Sequence, residues 1–125
     1  MKLPIFLLLF VGSGAQAKVT ESWVCKDAYS EFWTTIVTAE VLESRSSGLI
    51  KVAGITYDAH FQVKGFNRRW DFGLVEDGSY DYAFVIKPNG DGSYYDFSST
   101  NTGKTINPSQ LLTCQQSKLN RQSGT

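Results

Sequence analysis

A chain of 125 residues with 12 Lys and Arg against 12 Asp and Glu carries no net charge. Near-neutral charge argues against nucleic acid as a partner, since counterion release needs a basic surface. The length suffices for one folded domain and no more, and two cysteines with a single histidine leave little material for metal or redox chemistry.

Met1 and Lys2 precede an apolar run over 3–11 broken only by Pro4, and Gly12-Ser13-Gly14-Ala15-Gln16-Ala17 follows. One positive charge, a short apolar core and small side chains at Ala15 and Ala17 predict a secretory signal peptide over 1–17. The run is about half of what a membrane-spanning helix needs, so no transmembrane anchor is expected after its removal. The predicted mature protein is a single β domain over 18–115 with a flexible polar tail over 116–125, secreted or periplasmic. Cys25 and Cys114 lie near the two ends of that domain. In an exported chain they are expected to pair, closing a loop of about ninety residues worth roughly 4–5 kcal/mol of chain entropy.

Trp23 and Cys25 share one face of a predicted first strand. Over 32–42, the β-branched run Thr34-Thr35-Ile36-Val37-Thr38 favours a strand, although Trp33, Val37 and Val41 also fall at helical spacing. A polar turn over 43–48 leads to a short strand over 49–53, with Gly54 as a bend or bulge. The clearest signal is residues 55–64, where Ile55, Tyr57, Ala59, Phe61 and Val63 alternate with Thr56, Asp58, His60, Gln62 and Lys64. That period of two predicts a half-buried strand. A turn over 65–67 precedes Arg68, Trp70, Phe72 and Leu74 on one face. A second turn over 76–78 precedes Tyr80, Tyr82, Phe84 and Ile86. Pro88-Asn89-Gly90-Asp91-Gly92 has turn chemistry, and a strand is expected over 94–98. Leu112 and Cys114 share a face of a last strand. The string Asp77-Gly-Ser-Tyr-Asp-Tyr82 echoes Asp91-Gly-Ser-Tyr-Tyr-Asp96 fourteen residues on, as expected of two neighbouring hairpin turns built alike.

The predicted fold is all-β: a small antiparallel meander of about 6–8 strands, curling into a partly or fully closed barrel stapled by one disulfide. Closure removes the exposed sheet edges that invite aggregation.

Chemistry is sparse. His60 stands two residues from Asp58 on the polar face of its strand, so the pair could act as a base with its orienting carboxylate, but no nucleophile motif accompanies it. Carboxylate pairs drawn from Asp71, Asp81 and Asp96 lack any distinguishing spacing. Asn89-Gly-Asp91-Gly-Ser93 departs from a calcium loop, with Tyr94 where glycine is required and Thr100 where a glutamate is required. No catalytic set, cofactor or metal site is predicted. Aromatic residues make up 14% of the chain, and Tyr82, Tyr94 and Tyr95 fall near one another on predicted hairpins. With Arg69 beside Trp70, they form the candidate binding surface, since Tyr and Arg supply contact area with a polar handle.

The plan of leader, short strands and one bond joining the chain ends resembles the small periplasmic lysozyme inhibitors of the membrane-bound and periplasmic C-type group. That group carries a Ser-Gly-x-x-Tyr-type loop and a Trp-x-x-Gly-like segment. Here Ser47-Gly48 is followed by Leu49-Ile50-Lys51, without the tyrosine, while Trp70-Asp71-Phe72-Gly73 fits the second string. The resemblance implies a β-barrel and inhibitor-like binding. The expected function is an exported binding module for a protein or cell-envelope component. The alternatives are a carrier of a small apolar ligand inside the barrel and a small hydrolase built on Asp58 and His60 or on an aspartate pair.

Overall fold

The computed structural model describes residues 18–98 and 107–118. The expected leader and the end of the expected tail lie outside the described residues. Eight strands follow in chain order: β1 (Val19–Asp27), β2 (Val37–Leu42), β3 (Ser47–Val52), β4 (Ile55–Lys64), β5 (Asn67–Leu74), β6 (Tyr80–Ile86), β7 (Asp91–Asp96) and β8 (Gln110–Ser117). Each pairs antiparallel with the next and β8 returns to β1, closing the barrel. Among the described residues there is no helix. The all-β meander, expected to curl into a partly or fully closed barrel of about 6–8 strands, is a fully closed barrel of eight.

Alternation decides which side chains fill the barrel. Val37, Ala39 and Val41 of β2, Ala59 and Phe61 of β4, Trp70 and Phe72 of β5, and Phe84 and Ile86 of β6 point inward and are buried. The rings touch in series: Phe61 lies 5.0 Å from Trp70, and Trp70 lies 6.1 Å from Phe84. Trp70 is fully buried, and its indole Nε1 donates to the Glu40 carbonyl of β2 at 2.8 Å, so its one polar group is satisfied across the lumen. Gly48 makes this possible. A Cβ there would come within 2.3 Å of the Glu40 oxygen and 2.7 Å of Trp70 Nε1.

Cys25 and Cys114 stand directly opposite each other in the β1–β8 register and are bonded. The bond joins the first and last strands of the ring, so the covalent closure and the hydrogen-bonded closure fall at one seam. With its cysteines 89 positions apart in the chain, its loop-entropy contribution is about 4–5 kcal/mol.

Four expectations need correction. The strand expected over 32–42 begins only at Val37, and residues 28–36 form an irregular connection. Asp27 Oδ1 accepts from Tyr29 N and the Asp27 carbonyl accepts from Ser30 N, turning the chain before the β-branched run can pair. The strand expected over 94–98 is displaced to Asp91–Asp96. Its turn closes early because Gly90 N donates to the Lys87 carbonyl and Asn89 Oδ1 accepts from Asp91 N. The sequence echo is consequently not a structural repeat: its first copy crosses a turn, its second lies within β7. Finally, β8 runs past Gln115, with Gln116 and Ser117 paired to Trp23 and Ser22.

In such a meander the ends of the odd strands and the starts of the even strands make one rim. The opposite ends make the other, here called the base. The base is sealed from within. Arg68 of β5 reaches Glu21 of β1 with Nε and with Nη2, the latter to Oε1 at 3.1 Å. Trp23 Nε1 donates to Glu21 Oε2 at 2.6 Å, and the guanidinium lies 5.5 Å from the Trp23 ring. β1 and β5 are four strands apart in a ring of eight, so this ion pair spans the lumen like a crossbar.

Candidate functional site

The rim has the opposite character. The β1–β2 connection is organised by polar contacts beneath it: Lys26 Nζ donates to the Ser30 carbonyl at 2.6 Å, Ser30 Oγ donates to the Phe32 carbonyl at 3.0 Å, and Ile36 N donates to the Cys25 carbonyl at 2.8 Å. With the backbone thus held, Tyr29 and Phe32 stand out in solvent at 81% and 77% exposure. Trp33, with Lys26 Nζ 5.7 Å from its ring, is also exposed. At the same end Ile55, Leu74, Phe97 and Leu111 are exposed in turn. Only Val63 and Phe66 of the exposed large apolar side chains among the described residues lie toward the base.

Within the ring of exposed groups the floor of the rim is aromatic. Phe72 is buried, and around it stand Tyr57 at 5.4 Å, Tyr82 at 5.4 Å and Tyr94 at 6.2 Å between ring centroids. Tyr82 and Tyr94 stack at 6.0 Å and 19°. Gly73 positions this pair: its φ of 75° bends β5, and a Cβ there would sit 2.6 Å from the Tyr82 ring. Burial pushes the Tyr94 phenol up to about 12, with the Tyr82 phenol and the Asp96 carboxylate adding to the effect. Tyr82 is raised too, first by burial and then by Asp96 and Asp81. Both phenols are therefore neutral donors across the physiological range. Among the described residues the hydroxyls of Tyr57, Tyr82 and Tyr94 make no hydrogen bond to one another or to a neighbour, and none is sealed from water. Beside this floor, between residue 35 and the β3–β4 turn, a recess of about 550 Å³ is lined by Ile36, Val37, Val52, Gly54 and Gln110.

The predicted binding surface is divided by the barrel wall. Tyr82 and Tyr94 point inward at the rim, whereas Arg69 and Tyr95, being one residue out of phase, lie on the outer wall. There Arg69 Nε donates to Asp71 at 3.0 Å and Tyr95 stacks on Phe97 at 5.8 Å and 11°. The hydrolase candidates are scattered also. His60 is exposed on the outer wall, where its cross-strand neighbours are Ser47 and Asp71 rather than Asp58. Ser47 is engaged with Ser44 at 2.8 Å and Asp71 with Arg69. Asp81 points outward, while Asp96 registers with Tyr82 and accepts from Ser98 N. Among the described residues no cluster of three or more His, Cys, Asp or Glu is placed to hold a metal ion. The inner lumen is occupied by Trp70, Phe72, Phe84 and Ile86, all essentially inaccessible to solvent.

Sequence reasoning missed Tyr29, Phe32 and Trp33. The available signal was the failure of alternation over 28–36 together with turn-forming Asp27 and Ser30. Residues that lose the period of two no longer have a barrel interior to enter.

A scan against family models and searches of curated proteins and of solved structures each found no match.

Proposed function

We propose that this chain is an exported, non-catalytic binding module that holds a protein partner at the rim. The observation that carries the reading is the asymmetry of exposure: among the described residues, seven of the nine exposed large apolar side chains lie at the end whose floor is a cluster of tyrosines. Aromatic residues of this kind dominate the energetics of protein interfaces because they bury large rigid areas at small entropic cost. The recess beside Ile36 and Val52 has the size to admit one or two partner side chains, and the neutral phenols offer hydroxyls to a polar edge of the partner. The disulfide supports export, since such bonds persist in oxidising compartments.

Phe32 and Phe66 provide a matched pair for testing this, with 77% and 83% exposure at opposite ends. A photo-crosslinking residue introduced at position 32 in the exported protein is expected to trap a discrete protein adduct, while the same residue at position 66 traps none. Phe32→Ser and Phe66→Ser should both leave the melting temperature nearly unchanged, within about 0.5 kcal/mol of stability. Equal adducts from both positions, or adducts from position 66 alone, would remove the rim as the binding end.

A further inference from the structure

The outer wall carries a second, chemically distinct feature. Strands β4 to β7 form a groove of about 280 Å³ lined by Lys64, Asn67, Arg69, Val85 and Tyr95. Its polar groups are donors in excess. Among the described residues, the Lys64 ammonium and the Asn67 amide make no hydrogen bond or ion pair, and Arg69 commits only Nε, to Asp71 at 3.0 Å. That bond fixes the plane of the guanidinium and leaves its two terminal nitrogens for a ligand. With Lys64 and Arg69 against Asp71, the groove keeps a local positive charge.

The rest of the lining is apolar. Val85 lies beside Arg69 in the β5–β6 register and forms the floor. Tyr95 forms a wall, and Phe97 stacked behind it at 5.8 Å and 11° holds its ring in place. A flat aromatic wall beside one oriented guanidinium and two uncommitted donors suits a ring whose faces carry C–H groups and whose edge carries hydroxyls and an anionic group. The volume is below the roughly 300–1,000 Å³ typical of drug-sized ligands, so it fits a single ring.

We propose that this groove binds a carboxylated sugar unit, a uronic acid within an acidic polysaccharide. Its carboxylate is received by Arg69 and Lys64, its hydroxyls by Asn67, and its C–H face by Tyr95 and Val85. Nucleic acid is disfavoured by a chain without net positive charge. An acidic peptide would satisfy the two cations but leave the Tyr95 face unused.

The test is titration of the exported, oxidised chain with trigalacturonate, followed by amide chemical shifts and calorimetry, with neutral galactotriose and triglutamate as the other two arms. Trigalacturonate is expected to shift the amides around Lys64, Asn67, Arg69 and Tyr95, and to bind about tenfold or more tightly than either comparison ligand. Arg69→Met and Tyr95→Ala are each expected to weaken it by about tenfold or more, and Lys64→Met by several-fold. Lys64 is exposed, so that variant keeps the fold even if the other two disturb it. Equal binding of triglutamate would show a plain carboxylate site and overturn the sugar assignment. So would binding unchanged by Tyr95→Ala in a folded protein, or no shift at millimolar trigalacturonate. None of these outcomes bears on the rim, whose crosslinking test uses other residues.

Discussion

The two ends of this barrel are made from the same kinds of residue and use them in opposite ways. At the base, a carboxylate, a guanidinium and an indole satisfy one another across the lumen. At the rim, three phenols line the floor without hydrogen bonds among themselves, and exposed aromatics surround them. The difference lies in geometry. Arg68 and Glu21 sit on strands facing each other across the ring, so their long side chains meet in the middle. Tyr82 and Tyr94 sit on neighbouring strands, so their rings stack side by side and their hydroxyls stay available. Polar groups that satisfy one another at the base serve stability, whereas the phenol hydroxyls described at the rim have no such role.

The contrast is breakable, and the largest effect should come from the barrel half that the base closes. Gly48→Ala forces a Cβ against the Glu40 oxygen and the Trp70 indole and displaces a buried hydrogen bond. The expected loss is about 3 kcal/mol, seen as a fall in melting temperature on the order of 10–20 °C. A melting temperature unchanged by this substitution would mean that Trp70 is not held against β2.

A smaller effect is expected from opening the base itself. Arg68→Met leaves the Glu21 carboxylate, 8% exposed, with only the Trp23 donor. A loss of about 2 kcal/mol is expected, below the 3–5 kcal/mol of fully buried pairs because Arg68 is partly solvated. Adding Glu21→Gln should restore most of it, as a double-mutant cycle by urea denaturation would show. A double variant no better than the single would place the damage in packing rather than charge.

The smallest effect belongs to the rim. Tyr94 holds its proton to about pH 12 in the fold, while an unfolded tyrosine ionises near 10. Its contribution to stability is therefore whole below about pH 10 and is lost as pH rises through about 12. The wild-type protein should lose more stability between about pH 9 and 11.5 than Tyr94→Phe, and the late-titrating phenolate absorbance of the variant should be smaller by one tyrosine. At neutral pH the two proteins should be almost equally stable, since the hydroxyl makes no hydrogen bond that the substitution would break.

How much of this was legible beforehand depended on the range of the forces involved. Residues 55–64 and 80–86 announced their strands because the period of two is local, and burial rewards the inward positions at the middle of β4 while Ile55 and Val63 at its ends stay exposed. Cys25 and Cys114, two cysteines in a chain with a leader-like start, pointed to the bond that the structure contains. The turn at 28–36 and the early start of β7 were less legible, since each depends on side-chain to backbone hydrogen bonds that compete on nearly equal terms with strand pairing.

The sequence by itself determined the all-β class, the strands over 55–64 and 80–86 and the staple, because hydrophobic alternation and cysteine chemistry are properties of the chain. Only the tertiary structure decided which end would carry a charged crossbar and which a cluster of phenols. It also separated Tyr82 and Tyr94 from Arg69 and Tyr95, set Ser47 and Asp71 rather than Asp58 across from His60, and brought Glu21 to Arg68 over 47 residues of chain. Those outcomes follow from the register of eight strands in a closed ring, where a shift of one residue moves a side chain to the other side of the wall.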